Sequence, residues 1–294
     1  MDIPLFPAGR KLFYLFPQGN FHQSVVQHII REEYEIYTLS DYKRGLPLIF
    51  QYNGAIIFIN LDAAPGDTKL IATIRDFSRQ SSNRSIDIFL ITHSAEAKQW
   101  AEKYLTQVDN CSAIVAEAAV EEFTSQLDNV LSNLHAQGQR KYVRFGSNSN
   151  QITHLSFSRK EMRFKAFLHD VSTAGLSFTL EEEHPLSIRS KLTNITIDLG
   201  YTIEGLTGTI TIKRRLPNNK ILHVLLFDKT TDDEIKEQLR FVIHGLIKQQ
   251  YMQDFVIRQT PFYGDSTGKS FYSIAKVDSY IGQLTAHRQG KLLF

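Results

Sequence analysis

The sequence predicts two folds in tandem: an α/β domain built on a doubly wound, five-stranded parallel sheet, then an antiparallel six-stranded β-barrel with a C-terminal helix. Three observations carry this. Apolar runs of strand length alternate with helical stripes from Lys11 to about Ala136. From Ile152 the period becomes that of strands, punctuated by turn residues. A capping pattern at Thr231 then opens a last amphipathic helix.

In the first half the strand-like runs are Lys11–Phe16, Tyr34–Thr38, Ala55–Leu61, Ile86–Thr92 and Ser112–Ala116. Helical stripes lie between them: Phe21, Val25, Val26, Ile29 and Ile30; then Leu70, Ile71, Ile74 and Phe77; then Phe123, Leu127, Val130, Leu131 and Leu134. Strands apolar on both faces and separated by helices belong to a parallel sheet covered on both sides. The order and size of these units, over about Lys11–Ala136, resemble a CheY-like receiver domain. A receiver holds Mg²⁺ with carboxylates after its first strand, where this chain has Phe16-Pro17-Gln18-Gly19. Asp62, near the end of the third strand, stands at the candidate phosphoacceptor position, and Thr92 fits the hydroxyl that ends the fourth. The Lys that ends the fifth is replaced by Ala116-Glu117. Without the cationic parts, phosphoryl transfer lacks its charge neutralisation. The expectation is a degenerate, unphosphorylated receiver-like module over residues 1–136, serving docking or dimerisation.

The last stripe ends near Leu134, and Gly138 reads as the C-terminal stop of that helix. From there to Glu161 the chain has no acidic residue but carries Arg140, Lys141, Arg144, Arg159 and Lys160. This local basic patch sits on a linker. Beyond it, the expected strands are Ile152–Phe157, Phe164–Val171, Gly175–Leu180, Leu192–Leu199, Gly208–Lys213 and Leu222–Phe227, the pattern of a closed antiparallel barrel.

Two motifs frame this barrel: Arg140-x-x-x-Arg144 before the first strand, and Asp170-x-Ser172-x-x-Gly175 at the second turn. Either alone is weak; together, in this order and before a C-terminal helix, they resemble the PilZ domain over about Gln139–Gln249. The resemblance implies cyclic di-GMP as ligand. Guanine presents O6 and N7 as paired acceptors that a guanidinium fork matches, and guanidinium also stacks on flat rings. Arg140 and Arg144 are therefore expected to clamp a guanine and the phosphates, with Lys141 adding a cation and Tyr142 a ring. Asp170 and Ser172 offer acceptors for the guanine N–H donors, and Gly175 permits close backbone approach. The bland alternative is a structural turn in which Asp and Ser cap backbone groups. The family's G-x-x-F ending is incomplete: Val224-Leu225-Leu226-Phe227 keeps only the Phe.

Thr231-Asp232-Asp233-Glu234 is a capping box opening a helix with Ile235, Leu239, Val242, Ile243 and Leu246, expected to run to about Gln250 and to cover a barrel opening, with a homodimer seam as the alternative. Residues 137–250 make the barrel domain and 251–294 an extension. In that extension Gly264-Asp265-Ser266-Thr267-Gly268-Lys269-Ser270 is one residue short of a phosphate-binding loop. The net charge of +2 argues against a generally basic nucleic-acid binder, so no DNA partner is expected. A single cysteine, Cys111, excludes a disulfide within the chain and a Cys-rich zinc site. The ten histidines form no H-E-x-x-H pattern, so no metal or cofactor is expected. Apolar runs such as Ala55–Ile59 are too short to span a membrane. The combined expectation is a cytoplasmic bacterial effector, not an enzyme, that relays cyclic di-GMP to a protein partner in motility, adhesion or exopolysaccharide control. A phosphorylation-driven response regulator and a ligand-free adaptor are the alternatives.

Overall fold

Five apolar runs of the first half become strands, and the helices between them supply cover for both faces. The computed structural model describes residues 9–50, 52–64, 66–80, 85–108, 110–116, 119–146, 154–160, 162–182, 184–229 and 231–259. In order come β1 (Leu12–Leu15), α1 (Asn20–Arg31), β2 (Ile36–Leu39), α2 (Tyr42–Ile49), β3 (Ile56–Asn60), α3 (Thr68–Gln80), β4 (Asp87–Thr92), α4 (Ala95–Leu105), β5 (Cys111–Val115) and α5 (Val120–Asn133). The sheet is parallel throughout, ordered β2-β1-β3-β4-β5. The order reverses between β1 and β3, the switch point of a doubly wound sheet. Tyr14, Val25, Ile29, Phe58, Phe123 and Leu127 belong to the core on one face.

Two helices have no expected stripe. In α2, Gly45 and Pro47 break the pattern, yet a Cβ on Gly45 would lie 2.7 Å from the Leu39 side chain, so the glycine lets α2 approach β2. In α4 the buried side chains are Ala97, Ala101 and Tyr104, mostly too small to register as a stripe.

The second half contributes β6 (Phe145–Gly146), β7 (His154–Arg159), β8 (Met162–Ser172), β9 (Gly175–Leu180), β10 (Lys191–Asp198), β11 (Thr202–Arg215), β12 (Ile221–Phe227) and α6 (Asp233–Gln259). Strands β7 to β12 close into an antiparallel barrel, in the order β8-β7-β10-β11-β12-β9 and back to β8. β6 adds to the outside of β8. Ile152, where the first barrel strand was expected to begin, lies outside the described residues. β11 starts earlier than expected, at Thr202, and Gly205, with φ +79°, sits inside it.

Gly175 and Gly208 grip β12 from its two sides. A Cβ on Gly175 would lie 2.1 Å from the Leu225 carbonyl oxygen, and one on Gly208 2.6 Å from that of Leu226. The second motif's glycine therefore serves strand approach, not a left-handed turn.

The chain divides into two compact units, Met1–Lys248 and Gln249–Phe294. Within the first, α6 starts on the barrel and continues along the α/β half. Its cap is Asp232, whose carboxylate accepts the Glu234 N–H at 2.8 Å, rather than Thr231. Ile235 lies against Gly205. Phe241 then packs on the α/β core, and Lys248 donates to the Thr38 hydroxyl of β2 at 2.6 Å. The helix thus contacts both sheets, and it extends to Gln259. The polar stretch 264–270 lies outside the described residues. Among the described residues no helix is long and apolar enough to cross a membrane.

Two predictions follow from the packing. Gly175→Ala should cost about 1–3 kcal/mol of stability, read by urea unfolding without nucleotide, because the clash is with backbone. His244 of α6 is buried, and neither ring nitrogen has a hydrogen-bond partner among the described residues. Burial pushes its pKa from 6.5 down to about 4, against the pull of Glu35 and with the help of Arg240. A histidine held neutral stabilises the fold above pH 6.5, and this stability is lost as pH falls towards about 4. His244→Leu should flatten that slope in pH-dependent thermal unfolding.

Candidate functional site

The stretch carrying the arginine motif is fixed at both ends. α5 ends at His135, whose φ of 48° fills the left-handed position of a Schellman turn; Ala136 N–H bonds to Leu131 O at 3.0 Å. Gly138, expected to stop the helix, lies beyond that turn, and the N-terminal segment packs against it through Gly9, whose own Cβ would lie 3.0 Å from the Gly138 nitrogen. The buried Arg10 secures that segment, bonding the Gly54 and Leu134 carbonyls and pairing with Asp87 at 2.5 Å. At the far end, β6 pairs with β8 through Phe145↔Val171 and Gly146↔Asp170. Continuing that register sets Arg144 level with Ser172. The two motifs are thus neighbours on one ladder.

The motif side chains differ in availability. Arg140, Lys141 and Arg144 are exposed, and the Lys141 ammonium lies 5.6 Å from the Tyr142 ring centre. Asp170 is half-buried beside a bulge between β8 and β9, and accepts the Ser177 hydroxyl at 2.5 Å. Bulges of this kind re-aim a side chain. Ser172 is buried, donating to Gly175 O at 3.2 Å and accepting from Ala174 N at 3.3 Å. Its hydroxyl and Gly175 shape the turn.

Glu33 connects both motifs to the α/β half. It follows α1 with φ +61°, in another Schellman turn closed by Tyr34 N–H to Ile29 O at 3.2 Å. Glycine is the usual occupant there, and a side chain at positive φ is strained. The Glu33 carboxylate accepts from Val143 N–H inside the first motif at 3.2 Å, from the Thr173 hydroxyl inside the second at 2.7 Å, and from Arg240 Nε of α6 at 3.1 Å. Its side chain is 9% exposed. A cleft runs alongside, lined by Glu33, Glu35, Arg140, Tyr142 and Arg144 among others. Glu33 lay outside the sequence expectations. The signal was available: two glutamates end a helix whose C-terminal dipole favours cations.

No family profile and no curated protein matches the sequence. Among solved structures, the chain is similar to the PilZ domain of YcgR from Escherichia coli with c-di-GMP, at 16% identity and a TM-score of 0.34, covering 40% of this chain and 97% of that one. It is also similar to full YcgR from the same organism in complex with c-di-GMP (14% identity, TM-score 0.36, 42% and 52% covered). A third is the MrkH–c-di-GMP complex of K. pneumonia (13% identity, TM-score 0.34, 40% and 57% covered). The chain is similar to PilZ domains. It spans about half the length of the two longer proteins.

Away from the barrel, a second cluster forms at the carboxyl edge of the parallel sheet. Asp62, in a short turn after β3, accepts from Thr92 Oγ1 at 2.9 Å, His93 N at 2.9 Å and Ser94 N at 3.1 Å, and pairs with the His93 ring at 2.5 Å. Burial alone would raise its pKa, but the bonds from Ser94, His93 and Thr92 outweigh burial and hold it at about 2. Asp62 and Thr92, remote in sequence, therefore meet. His22 of α1 joins them, and it was not anticipated because its partners are remote in sequence.

Glu33→Ala should destabilise the protein by on the order of 3 kcal/mol, since three donors lose a charged acceptor. Glu33→Gly loses the same bonds but relieves the positive φ, and should be about 1 kcal/mol less damaging than Glu33→Ala. Urea unfolding of the three proteins measures both differences.

Proposed function

We propose that the chain is a cyclic di-GMP receptor, not an enzyme, whose nucleotide site is Arg140, Lys141 and Arg144 with Asp170, on a turn shaped by Ser172 and Gly175. The observation that carries the reading is the β6–β8 ladder, which holds two motifs separate in sequence side by side. The guanidinium groups of Arg140 and Arg144 grip guanine O6 and N7 or the phosphates, and a guanidinium plane stacks on the second base. Asp170 accepts from guanine N–H groups by exchanging its bond with Ser177. Residues 1–136 act as a receiver-like reporter module, 137–250 as the PilZ unit and 251–294 as an extension.

Binding is coupled to domain position through Glu33. A nucleotide drawn onto Arg140 and Arg144 must move or tighten the segment around Val143, and Val143 N–H is one of the donors on Glu33. Thr173 links Glu33 to the turn on the other side. The resulting shift of the α/β half presents a surface to a cytoplasmic protein partner in motility, adhesion or exopolysaccharide control.

Calorimetric titration of the full chain with cyclic di-GMP tests this. Binding is expected without added metal, weakening as salt rises. Arg140→Ala and Arg144→Ala should each weaken it roughly 10–150-fold, the loss of about 1.5–3 kcal/mol from a charge-assisted bond. An absence of heat with nucleotide in the tens-of-micromolar range would sink the reading.

A further inference from the structure

We propose that His22, Asp62 and His93 form a binding site for a divalent transition-metal cation of the zinc class, at the carboxyl edge of the parallel sheet. One donor atom from each residue lies within 4.8 Å of the others. His22 Nε2 is 3.7 Å from Asp62 Oδ2, and His93 Nδ1 is 2.5 Å from the same oxygen. An ion with bonds of roughly 2.1 Å in a tetrahedron sets its donors about 3.4 Å apart. The His22–Asp62 pair is near that spacing already. The His93–Asp62 pair reaches it by opening about 1 Å, and the His93 side chain is half-exposed and on the rim.

His22 supplies the independent observation. Its ring is 2% exposed, and Nε2 is buried with no hydrogen-bond partner among the described residues. The other nitrogen, Nδ1, is held by the Tyr14 hydroxyl at 2.6 Å. If Tyr14 accepts from Nδ1–H, the lone pair is on Nε2, the nitrogen that faces Asp62. Ligating histidines are oriented in this way by a bond from their second nitrogen. Asp62 is supported likewise: Thr92 Oγ1 and Ser94 N–H donate to Oδ1, while Oδ2 accepts the His93 backbone N–H at 2.9 Å and faces both histidine rings. Two imidazoles and one carboxylate suit zinc and its first-row neighbours, whereas Mg²⁺ prefers oxygen donors and retained waters. The site lies after β1, β3 and β4, where ligands of doubly wound sheets bind. With three protein donors and an exposed rim, at least one coordination position remains for water or an anion.

The competing account is a hydrogen-bonded His–Asp pair without affinity for metal. To decide, the full chain is stripped with chelator and titrated with Co²⁺, read by visible d–d absorption, and with Zn²⁺, read by competition and by metal content after dialysis. The proposal expects one equivalent per chain. His93→Ala, at an exposed position, should abolish uptake, with circular dichroism checking that the stripped variant is still folded. Tyr14→Phe should weaken it roughly 10–100-fold, as loss of an orienting partner does. Arg144→Ala should leave it intact, so the result does not depend on the nucleotide reading. No stoichiometric uptake of either ion, or uptake that survives His93→Ala, would overturn the proposal.

Discussion

The Glu33 carboxylate is the constraint around which the rest of the first unit is arranged. Donors from three separate segments converge on it: the arginine stretch, the turn between β8 and β9, and α6. Its backbone sits where helices usually place glycine, and its charge lies at the end of α1 that repels anions. Two local rules are broken at one residue. The compensation comes from Arg240, which carries a second carboxylate, Glu237, at 2.5 Å. Buried charge is tolerable when it is paired and hydrogen-bonded, and here the pairing holds two sheets together.

α6 makes this possible. A helix covering only the barrel would leave Glu33 without its cation. Instead α6 begins on β11 at Ile235, places Arg240 opposite Glu33, and seats Phe241 on the α/β core. α1 runs between the two unusual clusters of that half. His22 stands in its first turn, beside Asp62, and Glu33 follows its last. Events at the sheet's carboxyl edge and at the PilZ-like motifs are therefore separated by one rigid element.

Much of this was legible in the sequence. Strand positions could be read because fully buried strands leave continuous apolar runs, as in Ile56–Asn60. The motif residues were legible because their spacing is local to each turn. What escaped was of two kinds. α2 and α4 escaped because Pro47 breaks the sequence pattern and the small residues Gly45, Ala97 and Ala101 pack closely without a strong stripe. Glu33 and the His22–Asp62–His93 cluster escaped because they exist only as juxtapositions between remote segments. Gly138 misled because His135 does the helix-ending work, with a positive φ that sequence rules reserve for glycine. Gly175 was read as a turn or a place for ligand approach, and the neighbour it admits is β12.

The charge pattern of the cleft bears directly on how an anion would be received there. Two of its walls are carboxylates, which on a simple count would repel a dianionic nucleotide. Both already have cations of their own: Glu33 pairs with Arg240, and Glu35 with Lys11. Among the described residues no carboxylate pairs with Arg140 or Arg144, so their charge is turned outward. Moving a two-state equilibrium from 1:99 to 99:1 takes about 5.5 kcal/mol of differential binding. Two charge-assisted arginine contacts, at about 1.5–3 kcal/mol each, supply that order of energy. They would need to be made in one domain arrangement and not the other, and the bond from Val143 N–H to Glu33, lying between those two arginines, would tie the site to that arrangement.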